Sequence, residues 1–338
     1  MKYYRLKNEI ETVTILYELD RLYQIVVEKN DEIPVGSIVH GRIKKIDKKA
    51  RLTFVDIGEK EDAFCAEKTG LKAGDDTFFN IRKTPDEEKF YTVDMDLKLE
   101  KNSSLLRIIP KKSGEFEMIF EKSSIESSLK NEKRNDIKME ENSCDDNNNK
   151  DERILLEKWQ QIFSMKNTLP IPKIVYKAPT KSEKIIEEKN AVMSSNKDEL
   201  TLALKKGKQN FERRVELKKG YLYVDILPYM TIVDVNSGDY SEFFDSVLNR
   251  MEVNKDAMKK LLEIIKLRNL EGVIIMDILK LPSKMNREFL EYLKSEYEDI
   301  NFLDITRLGM LEMTIKKTGG EKITAEKILS LIRTMENI

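Results

Sequence analysis

The sequence predicts a multidomain α/β protein that carries a small β-barrel ahead of an α/β unit. Three observations support this. The chain has 338 residues, more than one hydrophobic core usually serves. Residues 35–65, "VGSIVHGRIKKIDKKARLTFVDIGEKEDAFC", form three short alternating runs punctuated by Gly36, Gly41 and Gly58, the pattern of a small antiparallel barrel. From residue 211 onward the pattern runs strand, helix, strand, helix, strand, which predicts a mostly parallel sheet flanked by helices.

Taken in order, residues 1–33 read as short strands, with "TVTILYE" and "LYQIVVE" flanking the charged Leu19-Asp20-Arg21. After the barrel runs, "FFNIRKTPDEEKFYTVDMDLKL" predicts a hairpin turning at Thr84-Pro85-Asp86, so the chain is β-rich to about residue 110. Residues 122–152 combine low hydrophobicity, high charge and an Asn/Asp run, a composition that does not repay the entropy of ordering and reads as a disordered insertion. A helix around Trp159 and a strand "KIVYK" between Pro172 and Pro179 follow, and residues 180–210 lean helical. "RRVELKKGYLYVDIL" predicts a hairpin at Lys219-Gly220, and "MTIVDVN" a strand. "EFFDSVLNRM" and "NKDAMKKLLEIIKLRNL" read as two helices, the second closing near Gly272. "GVIIMDIL", continuously apolar, predicts a strand buried on both faces. "MNREFLEYLKSEY" reads as an amphipathic helix, "NFLDIT" as a strand, and the tail from Ala325 as a last helix.

Composition narrows the function. A net charge of −1 points to no polyanionic partner by itself, but 36% charged residues leave room for local basic surfaces. Cys65 and Cys144 are too few for a disulfide framework or a cysteine-rich zinc site, and fit a reduced cytoplasm. The single histidine, His40, excludes any mechanism that needs a histidine pair, and reads as a surface or strand residue. No apolar run is long enough to span a bilayer, and the N-terminus lacks a signal-peptide pattern.

The chemistry concentrates at strand ends. Side chains alternate along a strand, so Asp234 and Asn236 project from one side. "GVIIMDIL" carries Asp277 near its own C-terminal end, and "NFLDITRLG" adds Asp304 and Arg307. If the first two strands are neighbours, the carboxylates of Asp234 and Asp277 meet at one sheet edge, where an oxygen-lined site suits Mg²⁺ or Mn²⁺. Two readings stand side by side: a strand closing in an Asx turn, and a metal or substrate site. An EF-hand fits "DVNSGDYSEFFD" poorly, because its glycine falls one position early and Asp245 stands where a bidentate Glu belongs.

"MTIVDVNSG", "VNKDAMKKLLEIIKLRNLEGVIIMDIL" and "DITRLGMLEMTIKK", in this order and spacing, resemble the catalytic domain of the ribonuclease E/G family over residues 211–317. "GRIKKIDKKARLTFVDIGEKEDAF" is similar to that family's OB-fold RNA-binding barrel. The resemblance implies an α/β nuclease domain with deoxyribonuclease-I-like and RNase H-like parts and an inserted OB-fold barrel. It divides the chain into N-terminal strands 1–34 packing on the later α/β region, a barrel 35–110, a divergent 5′-sensor-like region 111–210 and a catalytic domain 211–338. It implies that Asp234 and Asp277 are Mg²⁺ ligands, with Mn²⁺ as a substitute. Asn236 would orient the metal-bound water or the scissile phosphate. Phe54, Phe64, Lys89 and Arg307 would bind RNA; the other reading of Phe54 and Phe64 is barrel core. The implied function is a Mg²⁺-dependent endoribonuclease that cleaves single-stranded RNA, such as rRNA or mRNA precursors, in the cytoplasm. The alternative is a non-catalytic RNA-binding paralogue.

Departures from the family pattern carry expectations of their own. The chain has no cysteine after Cys144, so no structural zinc is expected and a homodimer would form without a zinc link; the family's small C-terminal domain is likewise not expected. Glu121-Lys122 stands where the family senses an RNA 5′-phosphate, so that sensing is expected to be lost or rebuilt. Lys280 replaces a second acidic residue, and Asp239 stands where an Arg is common.

Overall fold

The structure, a computed structural model, describes residues 1–66, 71–85, 90–101, 104–110, 116–122, 146–238, 246–297, 300–316 and 321–337. The chain divides into two units, Met1–Asp31 with Lys181–Ile338, and Glu32–Thr180. The first unit opens with an antiparallel meander of β1 (Lys2–Lys7), β2 (Glu11–Glu18) and β3 (Arg21–Lys29), whose apolar residues Val13, Ile15, Tyr17, Ile25 and Val27 are buried.

The second unit contains a closed five-stranded barrel, consistent with an OB-fold. It is built from β4 (Ile38–Asp47), β5 (Leu52–Asp56), β6 (Ala63–Ala66), β7 (Asp76–Lys83) and β8 (Thr92–Asp94). Strand β4 pairs with both β5 and β7 and so closes the ring. Closure brings backbones together at Gly41, where a Cβ would sit 2.8 Å from the Asp56 carbonyl oxygen. Val39, Ile43, Val55, Phe79, Ile81 and Cys65 fill the interior, so Cys65 acts as a small core hydrophobe. His40 is a buried strand residue packed against Phe78, with ring centroids 5.0 Å apart.

Three more strands, β9 (Leu97–Lys101), β10 (Ser104–Pro110) and β11 (Phe116–Lys122), form a separate antiparallel sheet. Helix α1 (Asp146–Ser164) covers it with Leu155, Trp159 and Ile162. β12 (Lys173–Tyr176) then returns to pair with β4. Residues 146–152, expected to belong to a disordered insertion, are the first turns of α1, and Asp151 is buried. The reason is phase: positions 151, 155, 159 and 162 lie on one helical stripe, so the polar run continues an apolar face that packs. Lys122 ends a strand, and residues 123–145, Cys144 included, lie outside the described residues.

The first unit resumes with α2 (Lys181–Glu188), β13 (Val192–Met193), α3 (Lys197–Gly207), β14 (Arg214–Glu216), β15 (Tyr221–Ile226), β16 (Met230–Asn236), α4 (Val247–Arg268), β17 (Gly272–Asp277), α5 (Ser283–Glu296), β18 (Asn301–Ile305), β19 (Met310–Ile315) and α6 (Ala325–Asn337). Strand β13 joins the meander beside β1, and α3 and α6 bury Leu200, Leu204, Ile328 and Ile332 against it. The other strands form a six-stranded sheet in the order β14-β15-β16-β17-β19-β18. Val233, Ile274, Met276, Leu311 and Met313 on one face pack with Met258, Leu261 and Phe289 of α4 and α5.

Four expectations are corrected here. The sheet is mostly antiparallel: only β16 and β17 run parallel. The β18–β19 hairpin inserts β19 between β17 and β18, and the sequence reading had no strand at Met310–Ile315. The two helices expected over 242–270 are one from Val247 to Arg268, closed by left-handed Asn269 at φ 51° rather than by Gly272, while residues 242–245 lie outside the described residues. Strand β17 is buried on one face only: Ile274 and Met276 are covered, whereas Val273 is 40% exposed. The continuous apolar run hid this, because its open-face positions are also apolar.

Candidate active site

The two strand-end carboxylates come together because β16 and β17 are parallel neighbours. Their register pairs Met230 with Val273, Ile232 with Ile275 and Asp234 with Asp277. Thr231, Val233 and Val235 turn inward, as do Ile274 and Met276, so Asp234, Asn236 and Asp277 share the opposite, open face. The Asn236 amide Nδ2 donates a hydrogen bond to Asp234 Oδ2, which fixes that carboxylate relative to the strand end. The hairpin turn at Gly220 approaches closely there. Gly220 has φ +84°, and a Cβ on it would lie 2.1 Å from the Asn236 carbonyl oxygen, so only glycine fits.

Among the described residues the carboxylate pair has no cationic partner. Burial, and then the charge of Asp234, push the Asp277 carboxyl above its ordinary range. Among the described residues no lysine or arginine forms an ion pair with either aspartate. Nor does any group of three or more His, Cys, Asp or Glu form a metal-binding cluster among them. The donor set is therefore two hard carboxylate oxygens with an adjacent amide. This suits Mg²⁺, which is held by one or two carboxylates and keeps water or substrate oxygens as its other ligands. It does not suit zinc, which prefers His and Cys.

The strand end is held from behind. Asn254 of α4 is fully buried; its Nδ2 donates to the Leu279 carbonyl and its Oδ1 accepts from the Leu279 N–H, both at 2.9 Å. The Ile278 N–H donates to the Gly309 carbonyl at 3.3 Å, tying the β18–β19 turn to the same edge. Arg307 lies exposed in that turn, three residues from Met310, the register partner of Asp277. Asp304 is also exposed, and its Oδ1 accepts from the Ile305 N–H, so it caps its own strand. Lys280 is exposed beyond the clasp, and Asp239 lies outside the described residues.

In the barrel, Phe54 and Phe64 face each other across β5 and β6. Thr53, Val55, Ala63 and Cys65 point inward, so both phenyl rings lie half-buried on the outer face. Lys45 Nζ stands 5.9 Å from the Phe54 ring centroid. Lys89 lies outside the described residues. Glu121 forms an ion pair with Arg107 at 3.5 Å, and Arg107 also binds Asp96 at 2.8 Å, so Glu121 takes part in a charge network within its sheet.

Sequence reading missed two groups. Asn254 looked like the start of a second helix. Tyr221 and Tyr223, the open-face residues of β15, were legible as a "YLY" alternation but were not connected to Asp234.

Comparison with known proteins places a resemblance on this same region. Residues 193–318 match the model of the ribonuclease E/G family. Ribonuclease E of Synechocystis is 30% identical over 112 residues, covering 31% of this chain and 17% of that protein. Ribonuclease G of Escherichia coli K12 is 32% identical over 116 residues, covering 32% of this chain and 23% of that protein. A Ribonuclease E/G-like protein of Porphyra purpurea is 29% identical over 105 residues, 30% of this chain and 20% of its own length. The chain thus spans less than a quarter of the length of these relatives.

Proposed function

We propose that this protein is a divergent relative of ribonuclease E/G that acts as a Mg²⁺-dependent endoribonuclease on single-stranded RNA. The observation that carries this reading is the register pairing of Asp234 with Asp277 on one open sheet face, with Asn236 bonded to Asp234, inside the segment that matches the family. The Asp234 and Asp277 carboxylates would hold Mg²⁺, or Mn²⁺ in its place. When bound, the ion lowers the pKa of an attacking water and offsets charge developing on the phosphate. Asn236 keeps the Asp234 oxygens aimed at the open face through its amide. The Asn254 clasp keeps Asp277 at the strand end. The outer barrel aromatics Phe54 and Phe64, with Lys45 over one ring, suit the stacking of unpaired bases. Lys89 and exposed Arg307 would supply positive charge for phosphates. In this reading the products carry a 5′-phosphate and a 3′-hydroxyl, and the protein works on cytoplasmic rRNA or mRNA precursors. Among the described residues no helix is long and apolar enough to cross a membrane.

The test is cleavage of a single-stranded RNA with and without Mg²⁺, wild type beside Asp234→Asn and Asp277→Asn. Cleavage should need the cation and fall to background in both variants. Cleavage that persists in both variants, or in excess EDTA, refutes the reading. Salt-sensitive RNA binding with no cleavage under any condition supports a non-catalytic RNA-binding paralogue instead.

A further inference from the structure

Strand β15 lies directly beside β16, and its open-face residues continue the row that contains the carboxylates. Tyr223 pairs in register with Asp234, and Tyr221 with Asn236. With neighbouring strands about 4.8 Å apart, Tyr223 is one strand from Asp234 and two from Asp277. The two rings meet edge to face, with centroids 5.2 Å apart and planes at 74°. Each carries a guanidinium: Arg214 Cζ lies 3.9 Å from the Tyr221 centroid, and Arg213 Cζ 5.2 Å from that of Tyr223. Both cations are fixed by acids. Arg213 donates from Nε and Nη2 to the two Asp225 oxygens at 2.6 and 2.8 Å, and Arg214 Nε donates to Glu216 at 2.7 Å.

We propose that Tyr221 and Tyr223, layered by Arg214 and Arg213, form a platform on which an unpaired base of single-stranded RNA stacks beside the carboxylate pair. This rests on the ribonuclease reading above. Two arginines and two acids sum to zero charge, so the cluster offers no net attraction to a phosphate. What it does offer is a solvent-facing cluster of planar groups, two phenol rings set edge to face with a guanidinium beside each and both cations held by acids. The Arg213 and Arg214 side chains are 69% and 51% exposed, and a guanidinium plane stacks on a base as readily as an aromatic ring does. Stability does not account for the arrangement, because exposed ion pairs contribute little to folding. Stacking is also indifferent to base identity, which suits a surface that would seat the nucleotide next to the cleaved bond.

The experiment uses the full chain in EDTA, a fluorescein-labelled oligoadenylate and fluorescence anisotropy. The double variant Tyr221→Leu/Tyr223→Leu keeps bulk on the sheet face and leaves every charge in place. Loss of one stacked base should raise Kd roughly 5- to 150-fold, with the slope of log Kd against log salt unchanged. An affinity within about twofold of the parent, in a variant whose thermal melt matches the parent, overturns the platform. A loss of affinity accompanied by a shallower salt slope overturns it too, because that would mean a phosphate contact. If the double variant is poorly folded, ultraviolet crosslinking of the unmodified protein to the same RNA decides the matter. Adducts on Tyr221 or Tyr223 support the platform, and adducts confined to other peptides sink it. The two readings fail separately: platform-dependent binding without any Mg²⁺-dependent cleavage removes only the nuclease, and cleavage with unchanged KM in the double variant removes only the platform.

Discussion

Asn254→Ala tests whether the strand end carrying Asp277 is held by the helix behind it. Asn254 is fully buried in the middle of α4, and its amide makes two 2.9 Å hydrogen bonds with the backbone of Leu279, two residues past Asp277. Truncation leaves one N–H and one C=O without their partner, at about 1–3 kcal/mol each when shielded from water. Leu279 is only partly buried, so water recovers some of this, and alanine returns about 0.6 kcal/mol through its better helix propensity. The expected net loss is about 2–3 kcal/mol, read as a lower urea midpoint at unchanged m-value. Asn254→Leu serves as a control: it restores volume without hydrogen bonds and should be no more stable than the alanine variant. In a cleavage assay kcat should fall while RNA affinity stays, because the clasp positions Asp277 and touches no substrate. An alanine variant within about 0.5 kcal/mol of the parent refutes the clasp, and so does full rescue by leucine.

Two further outcomes are expected. Burial and the Asp234 charge raise the folded-state pKa of Asp277, so stability from this group is fully present below its unfolded value and is lost as pH rises through the folded one. In EDTA, Asp277→Asn should therefore melt higher than the parent at neutral pH and no higher in acid; a lower Tm at neutral pH refutes this. Gly220→Ala would place a Cβ 2.1 Å from the Asn236 carbonyl at φ +84°, costing roughly 1–3 kcal/mol from the backbone alone and displacing Asn236, so both Tm and cleavage should fall; an unchanged Tm refutes it.

What was legible in the sequence was local. Alternation in "MTIVDVN" put Asp234 and Asn236 on one face, and Lys219-Gly220 marked the hairpin that reaches them. The barrel strands followed from glycine-punctuated alternation, and Phe54 and Phe64 lie at register-paired positions outside its core. What was not legible depends on partners distant in sequence. An apolar run such as "GVIIMDIL" shows that a strand can be buried, not how many of its faces are covered. The place of β19 between β17 and β18 follows from how a hairpin docks, which its residues do not encode locally. Asn254 reads as the first residue of a helix until its partner at Leu279 is known, twenty-five residues away. The stretch 146–152 was misread because composition outweighed phase. Asp151 sits one helical repeat before Leu155, and the stripe through Trp159 decides the matter.

The parallel pairing of β16 with β17, in a sheet whose other described pairs are antiparallel, also explains why the carboxylates meet at all. Antiparallel neighbours bring the start of one strand beside the end of the next, so two strand-end residues on adjacent antiparallel strands lie at opposite edges. Helix α4 carries the chain back so that β17 starts beside the start of β16, and both strands then end at the same edge. Two unit charges about 5 Å apart there repel by roughly 1–3 kcal/mol at effective dielectric constants of 80 to 20. A turn-forming role gives no reason to bear that repulsion, since either aspartate could close its strand as asparagine, as Asn236 already shows at the same edge. Paired carboxylates without a basic partner among the described residues make sense where a cation is to be shared, and this is why the Asp277→Asn melt and the Mg²⁺ dependence of cleavage bear on one question from opposite sides.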